Sequence, residues 1–296
     1  MTARWRWGAL AVAVWAIASL MHLRFSLWLV VPHETAFGKF ALADLVPAAA
    51  AAGGAVLLFA IALQLRRAPH PRLAAGYWIA WAAAVVAMDS TLTFSPNEWA
   101  HYPQYALVAW LLARAVDPSR YRRCVGRLLF WSTLLGAGDE LLQYLWIAAS
   151  YGQYFDFNDC LANLVGASGG LLLYYGAAPV RPRDSSRSLP LAELVTVTAL
   201  AIVMAVTMNA GPVSLGPPPH VAVPPGGVVR MDTGTWHLYL QRSASLYGSW
   251  QPGQRHARYY VLPPVTGLGL MLAAGVLFSG LGWRRTMPPQ GGNERK

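Results

Sequence analysis

The chain of 296 residues is 55% hydrophobic and only 12% charged, and its formal net charge is +10. Soluble domains carry about 25% charged residues, so this composition excludes an ordinary cytosolic enzyme. The basic excess does not indicate nucleic-acid binding either, because the arginines lie between apolar runs and form no basic stripe on a soluble domain.

Eight apolar stretches are long enough to cross a membrane as helices, since one span needs about 20 apolar residues. In chain order they are 7–31, 43–65, 73–92, 99–116, 128–147, 159–178, 189–210 and 261–283. The first stretch continues past the usual length of a signal-peptide apolar region, so we expect a retained helix. The sequence therefore predicts an all-α, polytopic membrane protein with about eight transmembrane helices.

The basic residues predict the orientation of these helices. If all eight stretches cross the membrane, seventeen of the 23 lysines and arginines fall on one side and five on the other. Short cytoplasmic loops are enriched in Lys and Arg. We therefore expect a multi-pass protein of the bacterial cytoplasmic (inner) membrane with both termini in the cytoplasm.

The chain divides into three parts on this interpretation. Residues 1–72 would hold the first two transmembrane helices, 73–180 a core of four, and 181–296 the last two. The third part includes an extracytoplasmic loop at 211–260 and a cytoplasmic tail at 284–296. Within that loop, 228–231 and 236–240 flank an Asp-Thr-Gly-Thr sequence and predict a short hairpin.

The fifth and sixth apolar stretches carry polar groups at membrane depth, where ionisable residues are costly and usually functional. In the fifth, Asp139 and Gln143 share a helix face, and Glu140 is adjacent. In the sixth, Asp159, Asn163, Gly166 and Gly170 share one face, and the two glycines predict close helix packing. These stretches are joined by a short loop, so we expect antiparallel neighbours with Glu140 near the depth of Asn163.

Further polar residues lie toward the same predicted outer face. His101 and Tyr105 share a face of the fourth helix, and Asp89 is at the outer end of the third. Arg24, inside the first stretch, is the basic residue expected to neutralise part of this acidic group. We expect the polar residues to converge in one cavity that is open to the outer leaflet.

The order of these residues resembles a family pattern. Three segments are similar to the VanZ-like family of bacterial membrane proteins. They are His101 to Tyr105, Asp139-Glu140 to Gln143, and Phe155-Asp156 through Asp159 and Asn163 to Gly170. The resemblance covers about residues 89–176. Two positions depart from the pattern. Gln153 stands where the family has an arginine, and Asn97 or Glu98 stands for the family's acidic residue before the histidine.

The resemblance implies a function in the cell envelope, because the family is named for low-level resistance to a glycopeptide antibiotic that targets cell-wall precursors. We expect a polar pocket that binds or modifies a lipid-linked or wall-precursor component and contributes to antibiotic tolerance. Expected partners are the lipid bilayer and such an envelope intermediate, with no nucleic acid. A contact that needs the missing guanidinium does not carry over.

Other interpretations of the polar residues stay open at this stage. They could form an interhelical clamp in a subunit of a larger assembly or in a transporter. Acid–base catalysis is compatible with the residue types, but no nucleophile or metal-binding motif identifies a reaction. Asp139, Glu140 and Asp159 could together bind a divalent cation through oxygen ligands. Asp159 could instead cap the sixth helix.

Overall fold

The computed structural model describes residues 2–35, 38–120, 124–176 and 191–282. Within these residues the chain forms eight α-helices at the eight predicted positions. They are α1 (Thr2–Val30), α2 (Val46–Arg67), α3 (Pro71–Thr91), α4 (His101–Val116), α5 (Val125–Leu142), α6 (Phe157–Tyr175), α7 (Leu191–Asn209) and α8 (Pro264–Ser279). The mostly helical fold is thus confirmed. The predicted tail at 284–296 and the junction of the second and third parts at 180–181 lie outside the described residues.

The number of helices able to span a membrane is smaller than predicted. Among the described residues α2, α3 and α7 are long and apolar enough, and α1 joins them if Arg4–Met21 and Leu23–Leu29 count as one span. The eight predicted spans are therefore corrected to three or four. Counting apolar runs overestimated the number for two reasons. Helices α4 and α8 have only 16 residues each, and a full span needs about 20. Helices α5 and α6 are long enough, but the charged residues of α5 and the asparagines and aspartate of α6 make them too polar.

Helix α6 lies at the centre of the bundle and is buried along nearly its whole length. Because protein surrounds it, its surface need not be apolar, and it accommodates glycines and asparagines. A Cβ atom added at Gly170 would lie 2.0 Å from the carbonyl oxygen of Ala106, and one at Gly166 would lie 2.8 Å from that of Tyr102. Both predicted packing glycines therefore allow α6 to approach the backbone of α4.

The two ends of the bundle differ in composition. At one end, Arg114 at the end of α4 stacks 4.5 Å from the ring centroid of Trp7 in α1, and Arg127 at the start of α5 pairs with Glu193 of α7. We call this the arginine end. At the opposite end, which we call the sheet end, α4 and α6 begin, α3 and α5 finish, and the strands between α7 and α8 are packed.

Five short strands make up this segment, and the chain also has a separate hairpin between α1 and α2. The hairpin is β1 (His33–Thr35) with β2 (Gly38–Phe40). The segment contains β3 (Val213–Ser214), β4 (Val228–Arg230), β5 (Trp236–Tyr239), β6 (Trp250–Pro252) and β7 (Arg258–Tyr260). Strands β4 and β5 pair antiparallel, with Val229 opposite His237, which confirms the predicted hairpin. The β1–β2 hairpin was not predicted.

Side-chain hydrogen bonds attach the strand segment to the helices. Asn158 of α6 donates to the carbonyl oxygens of Leu92 and Tyr260, each at 2.8 Å, and accepts from the amide of Leu262 at 3.0 Å. Tyr144, which follows α5, donates to the carbonyl of Tyr239. The start of α6 is thereby fixed against both the helix bundle and the strands.

The outward surfaces of the helices that are long and apolar enough to span a membrane carry apolar side chains. Val56, Leu58 and Phe59 of α2 are exposed, as are Ile202 and Val203 of α7. Exposed apolar surface of this extent indicates contact with a lipid bilayer.

Candidate functional site

The predicted polar residues of α4, α5 and α6 meet at the sheet end of the bundle. His101 is the first residue of α4 and directly follows a 3₁₀ turn, Pro96–Ala100. Ser95 and Glu98 form a capping box at this turn, and the Glu98 carboxylate accepts hydrogen bonds from the amides of Phe94 and Ser95. The acidic residue before the histidine thus stabilises the turn that leads directly into α4 at His101.

His101, Asn163 and Glu140 form a hydrogen-bonded chain across three helices. The Asn163 amide nitrogen donates to Glu140 Oε1 at 3.1 Å, and the Asn163 amide oxygen lies 2.8 Å from His101 Nδ1. Because that oxygen is an acceptor, His101 Nδ1 carries the proton and donates. The exposed fractions of His101, Asn163 and Glu140 are 1%, 0% and 3%. These three hydrogen-bonded side chains are therefore buried away from the molecular surface.

Asp159 lies on the other side of the imidazole. Its Oδ2 atom is 3.4 Å from His101 Nε2, and its side chain is 15% exposed. Asp159 is thus the member of the cluster closest to the molecular surface. We refer to His101, Glu140, Asp159 and Asn163 together as the histidine cluster.

Asp156, and not Asp159, caps α6. Its carboxylate accepts from the amides of Asn158 at 2.8 Å and of Asp159 at 3.3 Å, which leaves the Asp159 carboxylate available to the histidine cluster. Burial, followed by the negative charge of Asp159, raises the pKa of Asp156 to about 7. An aspartate directly before the first helical residue is the sequence signal that would have identified this cap.

Asp139 belongs to a neighbouring network. Tyr105 donates to Asp139 Oδ2 at 2.9 Å, Gln143 donates to Oδ1 at 3.2 Å, and Gln104 lies 3.4 Å from Oδ2. Both carboxylate oxygens of Asp139 therefore already have donors within the protein. This network contacts the histidine cluster through the adjacent residue Glu140.

A glycine that sequence reasoning did not single out brings α5 and α6 together at this point. A Cβ atom added at Gly136 would lie 2.8 Å from the Cβ of Asn163. Only a residue without a side chain allows Asn163 to approach α5 closely enough to reach Glu140.

Two predicted site residues lie elsewhere. Asp89 accepts from Trp99 Nε1 at 2.8 Å and from two nitrogens of Arg255 at 3.2 and 3.3 Å, so it joins α3 to the strand segment. Arg24 is exposed on α1, and it forms no ion pair with an acidic residue within the described ranges. The expectation that Arg24 neutralises the acidic group is therefore not met, because Arg255 supplies the cation for Asp89.

The histidine cluster is rich in negative charge. In the described parts of the chain, Glu140, Asp139 and Asp159 have no lysine or arginine within ion-pair distance, and His101 is the basic group beside them. Glu98 and Asp156 add two more carboxyl groups nearby, and burial raises the pKa of Glu98 well above its usual range, with the charges of Asp159 and Asp156 adding to the effect. The arrangement is suited to holding a proton or a cation.

Three of these residues are close enough to share a cation. One ligand atom from each of His101, Glu140 and Asp159 lies within 4.8 Å of the other two. The set differs from the three carboxylates predicted from the sequence, since His101 takes the place of Asp139.

Comparisons of the chain with known protein families, with curated proteins and with solved structures give no match.

Proposed function

We propose that this chain is a VanZ-like protein of the bacterial cytoplasmic membrane that binds or modifies a lipid-linked or wall-precursor component of the cell envelope. The observation that carries the proposal is the buried histidine cluster. Ionisable groups buried in a membrane protein are costly and usually serve a function. The resemblance of the segments around His101, Glu140 and Asp159 to the VanZ-like pattern supports a function in the envelope.

The distribution of basic residues supports one orientation. Arg66, Arg67, Arg114 and Arg127 belong to the helix termini of the arginine end, and cytoplasmic segments are enriched in such residues. The sheet end then faces away from the cytoplasm, and both termini lie in the cytoplasm. Helices α4, α5, α6 and α8 would lie in the membrane as a core beside the spanning helices, with their polar residues turned inward.

The envelope component would approach from the sheet end. Asp159 is the partly exposed member of the histidine cluster, so it would make the first contact with a ligand. His101 and Glu140 supply a proton donor and a proton acceptor behind it, as acid–base chemistry requires. Binding is the minimal function of this arrangement, and modification would use the same residues.

Binding of a lipid-linked wall precursor to the purified full-length protein in nanodiscs tests the proposal. Asp159→Asn preserves shape and removes one charge, and we expect it to weaken binding at least tenfold. Asp89→Asn makes the same chemical change outside the cluster and should bind like the wild type. Equal binding by wild type and Asp159→Asn would contradict the proposal.

A second candidate function is a membrane subunit of a larger assembly, or a transporter, whose polar residues serve as interhelical contacts. One observation favours it: the Asp139 carboxylate is fully hydrogen-bonded within the protein. If this candidate is right, charge-removing changes in the histidine cluster will leave the envelope function intact, and gentle extraction will yield a defined complex with other membrane proteins.

A further inference from the structure

We propose that His101, Glu140 and Asp159 bind one divalent transition-metal ion of the zinc type, with Asn163 as the residue that orients two of the ligands. The site is the same as that of the proposed function, and the biological use of the metal rests on that function. Metal binding itself can be measured independently of it.

The hydrogen bond to Asn163 determines which nitrogen of the histidine ring carries the proton. Asn163 fixes the proton on Nδ1, because its amide oxygen accepts there at 2.8 Å. In a neutral imidazole the lone pair is then on Nε2, which lies 3.4 Å from a carboxylate oxygen of Asp159. Two acceptors facing each other in a buried site repel, so a proton or a cation must lie between them.

The distance between these two atoms fits a metal ion. Zinc binds imidazole nitrogen and carboxylate oxygen at about 2.1 Å, and two ligands of a tetrahedral ion are then about 3.4 Å apart. The separation of His101 Nε2 and Asp159 Oδ2 equals this value. Glu140 is the third ligand: its Oε1 atom lies 3.9 Å from His101 Nδ1, and one ligand atom from each of the three residues lies within 4.8 Å of the other two. To bind an ion at Nε2, the Glu140 side chain would turn from the Nδ1 side of the ring toward Asp159.

The charge of the site also favours a cation. Glu140 and Asp159 are two acidic groups in a buried environment, and in the described residues neither has a lysine or arginine beside it. A buried charge is costly unless it is paired or coordinates a metal. One divalent ion would neutralise both carboxylates.

The residues around the proposed ligands make the hydrogen bonds that orient the ligands in known metal sites. A metal-binding histidine usually donates its second ring nitrogen to a hydrogen-bond acceptor, which fixes the orientation of the ring. Asn163 does this for His101 and at the same time donates to Glu140 at 3.1 Å. Asp139 is excluded from the ligand set because Tyr105 and Gln143 already donate to its oxygens.

The ligand set also predicts the kind of metal. Magnesium and calcium prefer sites made of oxygen ligands, whereas imidazole together with carboxylates suits zinc and its neighbours among the transition metals. Three protein ligands leave a fourth coordination position for water or substrate, as in catalytic zinc sites.

The test uses the full-length protein in detergent, stripped with a chelator, reloaded with Zn²⁺ and desalted. Elemental mass spectrometry should find about one zinc ion per chain in the wild type. His101→Gln and Asp159→Asn should reduce this occupancy at least tenfold, and the control Asp89→Asn should retain it. Zinc occupancy that is unchanged in both cluster variants would overturn the proposal.

A second measurement uses only the wild-type protein, so its result does not depend on whether the variants fold. Cobalt loaded in place of zinc should give the intense visible absorption of a tetrahedral site, and pulsed electron paramagnetic resonance should detect one imidazole nitrogen. A monodisperse wild-type protein that retains no zinc and no cobalt would overturn the metal site but leave precursor binding untouched. Zinc bound normally by a protein that does not bind the precursor would instead refute the proposed function alone.

Discussion

His101 and Asn163 are 62 residues apart in the sequence, and their side chains lie 2.8 Å from each other in the buried interior at the sheet end of the bundle. Asn163 is the link between the histidine and Glu140, since its amide nitrogen donates to that carboxylate. One side chain thus fixes the orientation of two ionisable groups on two other helices.

Removing this link should destabilise the protein. Asn163→Ala leaves the Nδ1 proton of His101 and one oxygen of Glu140 without their partner, and each buried unsatisfied group costs about 1 to 3 kcal/mol. We expect the free energy of unfolding in detergent to fall by about 3 kcal/mol. Ser168→Ala is the control on the same helix. Among the described residues, the Ser168 hydroxyl donates only to the carbonyl of Leu164 in its own helix, so the variant should stay within about 1 kcal/mol of the wild type. Equal stability of Asn163→Ala and wild type would contradict the linking role.

The contact between α4 and α6 predicts a strong effect at one glycine. The methyl group of Gly170→Ala would collide with the carbonyl of Ala106, and overpacking of this kind costs about 1 to 3 kcal/mol or more. We expect a large loss of folded protein, measured by fluorescence-detected gel filtration. Gly275→Ala in α8 is the matched control, because its added methyl group has no atom within 4 Å. A normal yield of folded Gly170→Ala would show that α6 packs differently.

The Asp156 cap predicts a pH dependence of stability. The pKa of Asp156 is raised from 3.8 to about 7 in the folded protein, so between these values the folded state binds more protons than the unfolded state, and stability falls as the pH rises. Asp156→Asn retains a capping oxygen and removes the titrating group, so it should reduce this fall. The measurement is thermal unfolding of chelator-treated protein between pH 4 and 8, a range set by the two pKa values. The charged and titratable groups that interact with Asp156 are unchanged in both proteins, namely Asp159, His101, Glu98, Glu140, Cys160, Tyr154, Tyr247 and Tyr259. Parallel profiles for the two proteins would contradict the prediction.

Cysteine labelling tests the orientation. In a background with Cys124→Ser and Cys160→Ala, we expect Ser245→Cys in the strand segment to react with a membrane-impermeant thiol reagent in spheroplasts. Pro118→Cys at the arginine end should react only after the membrane is permeabilised. Both positions are exposed, so a difference in labelling reports the side of the membrane. The opposite pattern would reverse the proposed orientation.

The positions of the helices could be predicted from the sequence because apolar runs and helical spacing are local signals. The same applies to the bond between Asp139 in the last turn of α5 and Gln143 directly after that helix, and to the β4–β5 hairpin. The number of spans could not be predicted, because whether a helix such as α6 faces lipid or protein depends on its neighbours. The cationic partner of Asp89 could not be predicted either, since Arg255 is 166 residues away in the sequence.

The residue that caps α6 determines what Asp159 can contact. Asp156 and Asp159 both lie near the start of the helix, and the sequence alone left the capping role of Asp159 open. Because Asp156 accepts the two amide hydrogen bonds, Asp159 is free to interact with His101. Its approach to the imidazole follows from the packing of α6 against α4, which no local pattern encodes.

The central claim is that the histidine cluster performs a function and does not merely hold the helices together. Glu140→Gln tests it most directly, since a glutamine oxygen can still accept from Asn163 while the charge is lost. The measurement is the sensitivity of cells to a glycopeptide or another wall-directed agent, with equal amounts of wild-type and variant protein whose unfolding free energies differ by less than about 1 kcal/mol. We predict that cells with Glu140→Gln will be as sensitive as cells that lack the protein. Full protection by a stable Glu140→Gln variant would contradict the claim and identify the cluster as an interhelical contact.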